Sequence, residues 1–287
     1  MFKEIHFFND WHNGDIHLSR GIIKNVMQHY PEAICFFHHK HGNKSLQDLP
    51  VIYSEEIIDY PDIVTIIDDK LYINTWMGKF LPNGKQLCSW GCNCESNKQL
   101  LNHILEVLGK NKFPINELDL IPFIDFSKFD IKNINDFLKN NTNKKILICN
   151  GDTMSGQSYN FSFAPYVMNL AIQYENINFI LTQKENIVKN NIFYTDDIIK
   201  QPKSDLNEIA FLALNCDIVI GRGSGPFVCS QIFESLTDEN KTFISFSNKR
   251  FESFLTEKTK CNKVWSNNYS PENIMNVLIT ELNKLKG

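Results

Sequence analysis

The chain has 287 residues, of which 43% are apolar and 22% charged, and its formal net charge is -4. That length suits two domains, each able to bury a core without disulfide staples. No tract of clustered Lys and Arg is present, which argues against a nucleic-acid partner, since binding a phosphate backbone needs one.

No apolar run reaches the roughly 18 residues that a membrane-spanning helix needs. The opening Met1-Phe2-Lys3-Glu4 leads straight into a strand-like run rather than a signal peptide. A cytoplasmic enzyme is therefore expected, with no transmembrane segment and with peripheral attachment to a membrane left open. Of the eight cysteines, Cys35, Cys149, Cys216 and Cys229 sit in or beside apolar runs, as small buried hydrophobes of a reducing compartment do. Arginine is confined to Arg20, Arg222 and Arg250.

In chain order, a strand over Ile5–Phe8 is followed by a polar turn and a helix over Asp15–Tyr30, closed by Pro31. Strands follow at Ala33–Phe37, Pro50–Tyr53, Ile63–Ile67 and Leu71–Trp76, and then an amphipathic helix over 97–109. Strand, helix, strand within about 35 residues is a βαβ unit with parallel strands. Pro114, Pro122 and the run NNTNKK mark a connection carrying one short helix near 133–139. From Lys145 strands and helices alternate again, through ILICN, INFILT, NIFYT, DIVIG and TFISF, to a final helix over Pro271–Leu285. The fold class is α/β, with two Rossmann-like domains. The boundaries are an N-terminal domain over 1–120, a linker over 121–143, a C-terminal domain over 144–269 and a helix over 270–287 that packs back on the first domain.

Ligands of parallel sheets gather at the carboxyl ends of strands, and four loops fall there. The first is His12-Asn13-Gly14-Asp15. Asp15 either caps a helix or serves a ligand, with the helix dipole keeping it ionised. The second is Gly221-Arg222-Gly223-Ser224-Gly225-Pro226. Its glycines and helix-start N–H groups suit phosphate; the local alternative is a tight turn packing a helix on its strand. The third runs from Asn150 to Ser158, with Asn150, Gly151, Ser155 and Gln157 suited to sugar or phosphate hydrogen bonds. The fourth holds Lys184, and the loop that includes Asp197 is placed for a nucleobase. Cys88, Cys92 and Cys94 are spaced C-x3-C-x-C, but zinc would need a fourth ligand from His12, His38, His39 or His103. No second pair matches, so no metal site is expected. Trp76 offers a surface for an acceptor sugar or a piece of core.

The segments Gly14-Asp15-Ile16-His17-Leu18-Ser19-Arg20 and DLNEIAFLALNCDIVIGRGSGPFVCSQI, taken together, resemble the heptosyltransferase-like glycosyltransferases, the ADP-heptose:lipopolysaccharide family 9. That resemblance implies a GT-B architecture, with the two domains facing across a cleft. It also implies that Asp15 is the catalytic base on an acceptor hydroxyl. The family's donor-phosphate contact falls on Ser224 and Gly225, and its basic residue after the next strand corresponds to Lys184. The family's histidine after the glycine loop is replaced by Phe227.

The expected reaction is an inverting, metal-independent transfer from a nucleotide-sugar donor to a glycan, glycolipid or other hydroxyl acceptor, with no cofactor. Donor contacts are expected from Asn150, Gly151, Ser155, Gln157, Lys184, Asp197, Arg222, Gly223, Ser224 and Gly225. Acceptor contacts are expected from His12, Asn13, Gly14, His17, Arg20 and Trp76. Two other readings share the scaffold: a nucleotide-sugar epimerase or hydrolase, and a non-catalytic nucleotide- or glycan-binding protein.

Overall fold

The structure, a computed structural model, describes residues 2–40, 44–87, 93–110, 115–154, 156–200, 205–248 and 255–285. The chain divides into two compact units, residues 1–128 with 256–259, and residues 129–255 with 260–287.

Unit 1 carries strands β1 (Glu4–Phe8), β2 (Ile34–His38), β3 (Ile52–Ser54), β4 (Val64–Ile67) and β5 (Lys70–Asn74), in the order β3-β2-β1-β5-β4. β1, β2, β3 and β5 are parallel. β4 runs antiparallel to β5 across a tight turn in which Asp68 takes a left-handed φ of 55°. Asp68-Asp69 is thus turn chemistry, a role that Asp fills readily. The expected single helix after β1 is two, α1 (Asn13–Leu18) and α2 (Arg20–His29). The break falls at buried Ser19, whose hydroxyl donates to the Ile16 carbonyl at 2.7 Å and competes with the helical ladder. α3 (Asn93–Val107) completes the unit's helices.

Unit 2 holds α4 (Lys132–Asn140), β6 (Lys144–Ile148), α5 (Ala164–Gln173), β7 (Ile177–Leu181), β8 (Ile192–Tyr194), α6 (Thr195–Ile199), α7 (Leu206–Leu214), β9 (Ile218–Gly221), α8 (Gly225–Cys229), α9 (Phe233–Thr237), β10 (Thr242–Phe246), β11 (Asn262–Ser266) and α10 (Pro271–Lys284). Its six strands are all parallel, in the order β11-β10-β9-β6-β7-β8. β6, β7, β9 and β10 read as nearly continuous apolar runs because helices cover both faces of such a sheet. β11 lies at the sheet's edge and is half-exposed, so its sequence NKVWS passes for a polar link. Ile274, Leu278 and Leu282 of α10 are buried in this unit's core with Ile146, Ile148 and Phe179. α10 therefore belongs to unit 2 rather than to the first domain, contrary to expectation.

Buried Lys241 precedes β10, and its ammonium donates to the carbonyls of Ala213 at 2.9 Å, Leu214 at 3.2 Å and Cys216. A cation here closes the otherwise orphaned C-terminal end of α7. Lys241→Met keeps the stem and removes the donors. We expect it to cost about 2–3 kcal/mol, read as a lower urea midpoint with an unchanged slope.

Candidate functional site

Strand order fixes where each sheet can receive a ligand. In unit 1 the chain leaves central β1 toward β2 on one side and returns to β5 on the other. The crevice between the carboxyl ends of β1 and β5 is the topological switch point. In unit 2 the switch lies between β6 and β9. The loops after β1 and β5, and those after β6 and β9, therefore flank the two binding positions.

At the first position, the chain leaves β1 through Asn9, whose side-chain oxygen accepts the Trp11 N–H at 3.1 Å. His12 is extended and forms the N-cap of α1, so Asp15 lies in the first turn and is not the cap. The Asp15 carboxylate is 28% exposed, enough for a ligand to reach it, and stands 3.9 Å from His12 Nδ1. Burial pushes its pKa up, and this outweighs the downward pull of His12 and of backbone N–H groups. The helix start alone thus does not set its ionisation, and a carboxylate with raised proton affinity is the better base. From the β5 side, Thr75 N–H bonds the Phe8 carbonyl at 3.0 Å and Asn74 Oδ1 accepts the Trp76 N–H at 2.9 Å. The Trp76 ring stacks on Trp11, with centroids 4.2 Å apart and planes at 17°.

The remaining acceptor candidates divide. His12 is exposed, and Asn13 and Gly14 are half-buried at the start of α1. His17 and Arg20 point inward, at 1% and 2% exposure, which removes them as acceptor ligands. Arg20 pairs with buried Asp48 at 2.9 Å and donates to the carbonyls of Ser45 and Phe123. It stitches two connecting segments to α2.

At the second position, Arg222 is fully buried and does not present a charge to a phosphate. Its guanidinium donates to the carbonyls of Asn150, Gly151 and Phe161 and, at 3.3 Å, to Asp152, and it lies over the Phe161 and Phe163 rings. Burial pushes its pKa down, yet arginine stays charged. It is the clamp of the loop after β6. The Asn150 amide is likewise used internally: it donates to the Gln183 carbonyl and Glu185, and accepts from Gln183 N–H at 2.8 Å. Gly151 lies under Gln183, whose Nε2 would sit 2.9 Å from any added Cβ. Gln157 Nε2 donates to the Gly223 carbonyl at 3.1 Å, joining the two loops that flank the switch.

In the glycine loop, Gly221 packs so closely on Phe227 that an added Cβ would stand 2.5 Å from its ring. Gly223 has a left-handed φ of 77°. Both the helix-packing alternative and a backbone demand for glycine hold here. Ser224 is the N-cap of α8 by backbone angles, though its hydroxyl makes no cap bond, and Gly225 begins the helix. Lys184 and Asp197 are exposed and pair with each other at 2.8 Å. A cavity of about 380 Å³ runs along edge strand β8, lined by Asn133, Phe137, Phe193 and Asp197 among others. Ser155, Cys88 and Cys92 lie outside the described residues, and Cys94 is buried with its thiol beside Glu117. Among the described residues no group of three or more His, Cys, Asp or Glu side chains could hold a metal ion, and no helix is long and apolar enough to cross a membrane.

Sequence reasoning gave no role to Trp11. An aromatic residue in the otherwise polar turn NDWHNGD was the available signal for Trp11.

Two Rossmann-like units of these topologies in one chain make a GT-B class of fold. Among solved structures, a family 9 glycosyl transferase from Veillonella parvula DSM 2008 matches with a TM-score of 0.59 at 12% identity, over 96% of this chain and 90% of that one. The E. coli heptosyltransferase WaaC with ADP matches at 0.58 and 8% identity, over 99% of this chain and 100% of that one. E. coli ADP-heptose LPS heptosyltransferase II matches at 0.54 and 10% identity, over 100% of each chain. No family model matches the chain, and no curated protein matches it by sequence.

Proposed function

We propose that the chain is a glycosyltransferase that moves a sugar from a nucleotide-sugar donor to a hydroxyl acceptor, with Asp15 as general base. The observation that carries this reading is the Asp15 carboxylate. It stands at a switch point, its proton affinity is raised by burial, and its fold is matched end to end by glycosyltransferases. In the proposed step the acceptor oxygen attacks the anomeric carbon on the face opposite the nucleoside diphosphate. A C–O bond forms, the bond to the diphosphate oxygen breaks with its electron pair leaving on the diphosphate, and the acceptor proton passes to Asp15. The sugar's configuration inverts.

On the donor side, the backbone N–H groups at Gly223–Gly225 and the ammonium of Lys184 supply the positive field for the leaving group. Lys184 suits this because its present bond to Asp197 is an exposed ion pair, worth little and readily exchanged for a diphosphate. Arg222, Asn150 and Gly151 act one step back, holding the loop after β6 in shape. The transfer as written uses no divalent ion. Cytoplasmic location, a glycan or glycolipid acceptor and peripheral membrane attachment belong to the same reading.

The test is a thermal-shift panel of ADP-, GDP- and UDP-sugars, because a bound donor raises Tm by mass action. ADP-sugars come first, since one WaaC structure contains ADP and another a fluorinated ADP-heptose. A shift of several degrees with one nucleotide class, and product formation that survives EDTA, are expected. No shift with any nucleotide sugar at millimolar concentration sinks the reading. Consumption of donor without an acceptor would move it to an epimerase or hydrolase.

A further inference from the structure

The stacked indoles beside Asp15 have a use that the transfer step does not assign. Trp11 is 46% exposed although it lies in a polar turn, and its hidden face is covered by Trp76. Both plates are fixed by the protein itself. Trp11 is held by its N–H to Asn9 and by its carbonyl, which accepts from His39 Nε2 at 3.1 Å. Trp76 is held through Asn74, and its ring occupies the space a side chain at position 78 would need, 2.2 Å from a Cβ placed on Gly78. A glycine there is what allows the indole to lie flat. The outcome is a preorganised aromatic surface that presents one large apolar face to solvent next to a candidate base.

We propose that the open face of Trp11 seats the pyranose ring of a neutral saccharide acceptor, with Trp76 as its backing plate. The inference rests on the glycosyltransferase reading and names the acceptor class within it. A pyranose carries a face of C–H groups and a rim of hydroxyls, so it matches a flat indole bordered by hydrogen-bonding side chains. Asp10, His12, Asn13 and Asp15 lie within four residues of Trp11 and none of them is buried, and the His12 ring is 6.2 Å from that of Trp11, whereas an acyl chain would need further apolar contacts. Two carboxylates, Asp10 and Asp15, in the same turn disfavour a phosphorylated or acidic ring at this position. A sugar laid on Trp11 would bring a rim hydroxyl toward Asp15, four residues on and 3.9 Å from His12 Nδ1.

The test uses the whole chain with methyl glucoside, methyl galactoside and methyl mannoside as probes in saturation-transfer NMR, with glucose 6-phosphate and octyl glucoside for contrast. Transfer to ring C–H protons of at least one neutral glycoside is expected. It should be abolished in Trp11→Gln and weakened in Trp11→Phe, with acceptor KM raised about tenfold, the size of a lost ring-stacking contact. Trp11→Gln should lose the exciton couplet of the stacked indoles in circular dichroism while keeping the Tm and the donor-induced shift. Unaltered glycoside binding in that variant, no binding of any neutral glycoside by the native chain, or transfer confined to the octyl chain or to the phosphorylated sugar overturns the inference. A donor shift without glycoside binding at Trp11 removes this inference alone. Glycoside binding through Trp11 without any donor shift leaves the platform standing and removes the glycosyltransferase reading.

Discussion

Asp15→Asn is expected to lower kcat by about 10²–10⁴-fold, the usual contribution of a general base, while the donor-induced rise in Tm persists. The same replacement should stabilise the protein. Burial raises the folded-state pKa of Asp15 above its unfolded value. Its ionised form therefore destabilises the fold at neutral pH, and this penalty disappears as pH falls below the ordinary aspartate value of about 4. A higher Tm for the variant near pH 7, converging with the native chain toward pH 4, is the calorimetric signature. On the proposed mechanism, kcat of the native chain should fall on the acid side through a pKa above that ordinary value. Native turnover by Asp15→Asn would remove Asp15 as base, and a lower Tm near pH 7 would contradict the burial argument.

Arg222→Met should give the largest loss of stability, about 3–5 kcal/mol, because it strands the buried carbonyls of Asn150, Gly151 and Phe161. For a unit of this size the loss corresponds to roughly 6–20 °C in Tm. Calorimetry should assign it to unit 2, with the indole couplet of unit 1 unchanged. If Arg222 instead faced a phosphate, the variant would fold with native Tm and lose donor affinity alone. That outcome would overturn the clamp.

The apolar strands of both sheets were legible because a run such as ILIC or DIVI has few places to go except the interior of a covered sheet. The loops at Asp15 and at Gly221–Gly225 were legible for the same reason: a polar loop between such a strand and a helix must lie at a carboxyl end. Side-chain direction was not. Arg222 and Asn150 read as ligands by residue type, but their polar groups are consumed by partners that become neighbours only after β6 pairs with β9 on one side and β7 on the other. Arg20 went the same way through Asp48, 28 residues distant. The switch points themselves depend on strand order, and nothing local in the chain states that β5 rather than β3 lies beside β1. Edge elements were the other blind spot. β11 is half-exposed, so its apolar signal is diluted, and α10 shows an apolar face without saying which core receives it.

The seating of α10 bears on how the protein is made. Ile146 and Ile148 are synthesised well over a hundred residues before Ile274, Leu278 and Leu282, yet all five share one core. On the ribosome, a nascent chain that has reached β10 still has bare apolar surface where α10 will dock, and parallel pairings between distant strands form slowly. Unit 2 therefore cannot close its core until the last helix has been made, when most of unit 1 has already emerged.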